Sequence, residues 1–330
     1  MRYFLVPTIV SVLILLGIWV WLGPVAFVTA ILLTILEVTL SFDNAVVNAR
    51  ILMRMSEKWQ QRFLTWGILI AVVGTRLILP ILIVSVGVWA SPWAVAQLAA
   101  FDPETYGHLL EEAKHGIYAF GASFLIMVSL KYFFNEGKET HWIHAIEAKL
   151  TKLGRIEAIE IGIALLTVLA FSFLVPAEQG VILAAGIVGI VLFIMMEGIA
   201  SSFSQGVTAA TASGLALFMY LNVLDSAFSL DSVVGAFALT TSIPIIVAGL
   251  GIGAWYVRSM TIYFVKKNTL DTLVYLEHGA HWAIFGLAVS MFAGLLFEVP
   301  EIITGGIGLA FVAAAYYSSL RFRKLQKQAV

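Results

Sequence analysis

The chain has 330 residues, of which 61% are hydrophobic and only 12% charged, with no cysteine and a formal net charge of −1; its mean hydropathy is +0.97. A soluble domain is about half apolar and a quarter charged, so this composition excludes an ordinary water-soluble protein. The lack of cysteine excludes disulfides, thiolate metal sites and cysteine nucleophiles together, and a charge near zero gives no reason to expect a nucleic-acid partner.

Apolar runs of about 20 residues, the length that crosses the hydrocarbon core of a bilayer, occur near 3–22, 24–49, 63–90, 113–134, 158–175, 180–199, 208–240, 243–264, 280–297 and 301–319. The layout predicts an all-α, polytopic membrane protein of about ten transmembrane helices, folded as a single transmembrane domain over 1–330 and embedded in membrane lipid. The junctions Gly23-Pro24, Ser242-Ile243-Pro244 and Val299-Pro300 suit helices that restart with proline in the first turn. Arg2 ahead of an apolar stretch imitates a signal peptide, but Leu22-Gly23-Pro24 is no small-x-small cleavage site, so a retained first helix is expected.

In this layout Lys and Arg gather on one face: Arg2, the segment 50–62, the loop 135–157, Lys266-Lys267 and the tail from Arg321. That face is expected to be cytoplasmic, with both termini on it, as in a multi-pass protein of the bacterial inner membrane. The opposite loops carry Asp102, Glu104, Glu111, Glu112, Glu178, Glu298 and Glu301 against the single base Lys114, a distribution that gathers cations. Within the loop 135–157, Trp142, Ile143, Ile146, Leu150 and Leu153 recur near helical spacing, which predicts a helix lying on the cytoplasmic interface. His141, His144 and Glu147 share one of its faces, expected to be solvated.

The second span contains Glu37-Val38-Thr39-Leu40-Ser41-Phe42-Asp43-Asn44 and the seventh Asp225-Ser226-Ala227-Phe228-Ser229-Leu230-Asp231-Ser232. Both follow one pattern: an acid, Ser four positions on, Asp two beyond, then an amide or hydroxyl. Arg76 in the span after the first copy answers to Arg258 after the second, and His115-Gly116 answers to His278-Gly279. Two repeats of three helices are predicted, one at about 24–134 and one at about 208–297. An odd number of crossings separates their starts, so the repeats are expected to be inverted.

At about 100° per residue, Thr34, Glu37, Ser41, Asn44 and Asn48 share a stripe of a regular helix, and so do Asn222, Asp225, Ser229 and Ser232. Asp43 and Asp231 lie about 120° away, so a site joining all four acids requires local unwinding near Ser41-Phe42-Asp43 and Ser229-Leu230-Asp231. Structural bridges to Arg76 and Arg258 are the competing account. Four acids against two bases leave two charges over, however, and a charge near the bilayer centre costs at least about 2.5 to 3.5 kcal/mol. A divalent cation matches that remainder; protonation of two acids matches it too, which makes protons a candidate coupling ion. Carboxylate, hydroxyl and amide oxygens suit manganese, calcium or magnesium rather than copper or zinc. The expected primary ligands are Glu37, Asp43, Asp225 and Asp231, supported by Ser41, Asn44, Ser229 and Ser232, with Arg76 and Arg258 tuning charge.

Together with Gly74-Thr75-Arg76 and Tyr275-Leu276-Glu277-His278-Gly279-Ala280-His281, these acidic segments resemble the TerC family of integral membrane proteins, in its longer branch. The resemblance spans about 24 to 319 and implies a link to tellurite resistance and manganese export. The expected activity is therefore transport, most simply export, of a hard divalent cation with Mn2+ favoured, and no enzymatic reaction. A membrane scaffold or metal sensor in a tellurite-stress complex is the first alternative. An intramembrane aspartyl protease is the second, disfavoured because neither Asp stands in a Gly-x-Gly-Asp context.

Overall fold

The computed structural model describes residues 2–88, 90–202, 210–267 and 269–328, whose regular structure is all helical with no strand among them. In chain order the helices are α1 (Arg2–Leu40), α2 (Phe42–Leu52), α3 (Glu57–Leu69), a π-helical stretch (Ile70–Ile78), α4 (Leu79–Gly87), α5 (Pro92–Phe101), α6 (Pro103–Glu112), α7 (Lys114–Phe133), α8 (His144–Leu153), α9 (Ile159–Leu174), α10 (Gln179–Ser202), α11 (Ala210–Leu239), α12 (Ile243–Lys266), α13 (Thr269–Thr272), α14 (Leu276–Ala293) and α15 (Glu301–Gln328). Among the described residues six helices are long and apolar enough to cross a membrane alone. A seventh joins them if Glu57–Gly67 and Ile70–Val86, bent by 52°, form one broken span. The expected runs at 24–49 and 63–90 each cross a break between helices, and α9, with 16 residues, is shorter than a full span.

Helix α1 is two helices joined at Gly23, whose φ of 86° and ψ of −179° leave helical geometry altogether. A positive φ of this kind suits only glycine, and Pro24 restarts the helix. The rings of Trp19 and Phe27 stand 5.4 Å apart, whereas eight residues of unbroken helix rise about 12 Å. The chain therefore folds back. Phe4 stacks on Tyr256 and Thr8 shares a hydrogen bond with its hydroxyl, while further along Thr34 donates to the Gly249 carbonyl and Phe42 meets Phe264. The first half of α1 thus runs antiparallel to α12 and the second half parallel to it.

The centre of the bundle is built from α2, α11, the π-helical stretch and α12. Contacts come in exchangeable pairs: α2 packs on α12 as α11 packs on the π stretch, and α11 packs on α7 as α2 packs on α14. Exchanging the three elements of one expected repeat for those of the other reproduces these contacts. Helices α5 and α6 fall where the hydropathy pattern indicates only a loop. Pro92 and Pro103 begin them, and the side chains of Ser91 and Asp102 accept the amides of Ala94 and Thr105 as N-caps.

Candidate functional site

Glu37 sits fully buried in the last turn of α1. The helix breaks at Ser41, with φ −102° and ψ 15°, before α2 begins at Phe42. The break is shallow, because the Ser41 amide still reaches the Glu37 carbonyl at 2.9 Å and the Ala45 amide reaches that of Ser41 at 3.3 Å. Unwinding is thus present at the first motif, where it was expected. The freed Ser41 hydroxyl donates to Glu37 Oε1 at 2.9 Å. Arg76 completes the group: one terminal nitrogen pairs with Glu37 Oε1 and the other donates to the Ala71 carbonyl at 2.5 Å. The wide π turn sets this reach, and Pro80 lacks the amide that would otherwise claim the Arg76 carbonyl.

The second motif differs. Helix α11 runs unbroken through Ser229-Leu230-Asp231, against the expected unwinding. The Ser229 hydroxyl donates to the Asp225 carbonyl at 2.7 Å and that of Ser232 to the Ser229 carbonyl at 3.0 Å, so both serve their own helix. Such back-bonding satisfies a hydroxyl without opening the turn. Asp225 pairs with Arg258 at 3.5 Å and receives the Asn48 amide at 3.5 Å. Arg258 also donates to the Phe63 carbonyl at 2.5 Å, with its guanidinium 4.0 Å from the Phe63 ring centroid.

Both acid–arginine pairs face one buried cavity of about 10 Å³, lined among others by Glu37, Ser41, Asn48, Arg76, Asp225 and Arg258; that is room for about one water molecule. Several buried oxygens around the motifs have no hydrogen-bond partner among the described residues: Glu37 Oε2, Asn44 Oδ1, Asn48 Oδ1 and Asn222 Oδ1. A buried acceptor left this way costs free energy and calls for a water or a cation. Asp43 and Asp231 are buried as well, at 3% and 7% exposure, yet neither lines this cavity. Asp43 accepts the Asn44 amide at 3.0 Å. Among the described residues no three of His, Asp and Glu converge as a metal cage, so the four acids are not joined in this arrangement. Asn48 belongs to the ladder seen in the sequence, whereas Phe63, which holds Arg258 through its backbone, carries no sequence signal.

The loop helix α8 holds a second charged cluster. Glu147 is buried, where a solvated face was expected. Its carboxylate accepts Lys138 at 3.0 Å, Trp282 at 3.0 Å and the amides of Trp142 and Ile143, and shares a hydrogen bond with His278 at 2.7 Å. Burial alone would push this carboxyl up, but the hydrogen bonds from His278 and Trp282 and the charges of His278 and Lys138 hold it well below the usual carboxylate range. The amphipathic spacing of α8 was legible, but the partner is the start of α14, too distant in sequence to be paired by spacing. His278 accordingly anchors α8 to the start of α14.

Neither a curated protein nor a solved structure matches the chain. The family model described as "Protein of unknown function (DUF475)" matches residues 42–326, nearly the whole of the chain, and the protein belongs to that family.

Proposed function

We propose that the protein is a membrane transporter, working as an exporter, of a hard divalent cation, with manganese(II) the best-suited substrate and calcium or magnesium the competitors. The observation that carries this reading is the convergence of two acid–arginine pairs, one from each copy of the motif, on a single buried polar cavity. A purely structural pair of bridges would be expected to leave its oxygens satisfied; here Glu37 Oε2 and Asn48 Oδ1 are not satisfied by any described residue. The oxygen donor set is hard, as the TerC-like motifs also imply. Arg76 and Arg258 occupy the positions of positive charge that a cation would take, and so act as locks. In the cation-bound state the guanidiniums swing away, and Glu37 and Asp225, joined by Asp43 and Asp231, become the primary ligands. Ser41, Asn44, Ser229 and Ser232 support them, and protons couple the cycle. The Lys- and Arg-rich face, with both termini, lies in the cytoplasm.

Calorimetric titration with manganese(II) tests the shared site. Asp43→Asn and Asp231→Asn remove charge with little change of shape. Each is expected to abolish most of the affinity, and the double variant to bind little worse than either single, because contacts within one site are not additive. One remaining site of near-normal affinity at half the stoichiometry in each single variant would instead mean independent sites, and unaltered binding in all three variants would reject the acids as ligands.

A further inference from the structure

The cavity between Glu37 and Asp225 is the innermost of three that follow one another toward a single face. At that face a vestibule of about 320 Å³ is lined by Glu104, His108 and Glu111 of α6, by Lys114 at the start of α7, and by Phe237 and Thr241 at the α11 end, among others. Next comes a cavity of about 10 Å³, bounded by Tyr106 and Phe237 on one side and Arg76 on the other, with Ile243, Ile246 and Val247 in its wall. Phe237 is common to the first two cavities, and Arg76 to the second and the third. Two side-chain barriers therefore stand between vestibule and site. The outer one is a pair of rings: Tyr106, 2% exposed, meets Phe237 at 5.4 Å between centroids and 66° between planes. Among the described residues, Arg76 alone brings a charge to the wall of the middle cavity.

The other face is different. Its polar pocket of about 400 Å³, lined by Arg50, Tyr132, Lys138, Glu277 and His278 among others, shares none of its described lining residues with the cavity of Glu37 and Asp225. A room of one water's size cannot pass a divalent ion with its hydration shell, and an apolar constriction excludes water and ions until it widens.

We infer that Tyr106 and Phe237 form the gate on the Glu104–Glu111 face, shut in this arrangement, and that the cation route runs from the site past Arg76 and between these two rings to the vestibule. This rests on the transport reading above and adds which residues control access, and from which face. Glu104 and Glu111 outnumber Lys114 on the vestibule wall, so its net charge attracts cations without selecting among them. Release then requires two events in series: Arg76 returns to Glu37 behind the departing ion, and the rings separate ahead of it. An edge-to-face pair is held by ring-edge attraction and burial without a covalent or ionic tie, which suits a gate that must reopen every cycle.

The native chain has no cysteine, so access can be read at single introduced thiols with a membrane-impermeant, positively charged methanethiosulfonate applied at the Glu104 face. His108→Cys in the vestibule should react fast in every background. Ile246→Cys in the middle cavity should react slowly alone and at least about tenfold faster when combined with Phe237→Ala or Tyr106→Ala, because truncation leaves the constriction open. Phe237→Leu keeps an apolar plug and should leave Ile246→Cys slow, which separates opening from general loosening. Equal rates at Ile246→Cys with and without the truncations would overturn the gate, as would acceleration by Phe237→Leu equal to that by Phe237→Ala. No flux is measured in this experiment, so a failure of transport and a failure of the gate are read separately.

Discussion

Gly253 shows how closely the site depends on single side chains. A Cβ placed there would stand 2.5 Å from the Cβ of Glu37, and one at Gly249 would stand 2.6 Å from that of Leu33. These two glycines, one turn apart on α12, let the second half of α1 press its acid-bearing face against the helix that carries Arg258. The Gly249-x-Gly251-x-Gly253 spacing therefore serves helix packing. Gly251 faces Val72 of the π stretch instead, where an added Cβ would stand 3.3 Å from a valine methyl. Gly253→Val should cost about 1–3 kcal/mol by overpacking and weaken manganese binding by displacing Glu37. Gly251→Ala should do much less of either. Thermal unfolding in detergent with parallel calorimetry checks both, and wild-type stability and affinity in Gly253→Val would contradict this packing. At the same scale, the pairing of Glu37 with Arg76 and of Asp225 with Arg258 was visible in the sequence only as the competing account, and charge counting left open which acids would pair. The direction of the Ser229 and Ser232 hydroxyls was not, because a serine on a polar stripe can turn to its own helix for about the same hydrogen-bond energy.

At the scale of elements, α8 is tied to α14 by one carboxylate. Removing it in Glu147→Ala leaves Lys138, His278 and Trp282 without their common acceptor, an expected loss of about 3–5 kcal/mol for a buried pair broken on one side. The loop 135–157 should then become sensitive to protease from the Lys-rich face, while Glu147→Gln, which keeps one acceptor oxygen, should lose less. The pH dependence follows from the direction of the shift. A carboxyl held below its unfolded value of about 4.3 contributes stability that is complete above that pH and disappears as pH falls toward the folded value. Docking of α8 by Glu147 should therefore persist at about pH 5 and weaken only in stronger acid, as followed by proteolysis across a pH series; release between neutral pH and that point would mean that another group controls the contact. Element boundaries were legible where apolar runs met proline or glycine, as at Gly23-Pro24. Helices α5 and α6 were not, since their helicity rests on caps and on packing against their neighbours rather than on a long apolar run.

For the whole molecule, hydropathy carried the class, an all-helical membrane bundle, while six or seven helices of membrane-crossing length stand among the described residues where about ten were expected. The exchangeable contacts of α2, the π stretch and α7 with α11, α12 and α14 are what two related three-helix units would make. The serial cavities and their shared residues Phe237 and Arg76 arise from tertiary packing and left no trace in spacing. All these features bear on one claim, that a hard divalent cation crosses the membrane through the cavity of Glu37 and Asp225. The direct measurement is manganese(II) flux into sealed proteoliposomes holding a fluorescent chelator, with calcium, magnesium and potassium as the panel. Wild-type protein should carry manganese best and potassium not at all, and Glu37→Gln and Asp225→Asn should each abolish flux while retaining a folded, monodisperse protein. Absence of flux for every divalent ion, or wild-type manganese flux in both variants, would contradict the account.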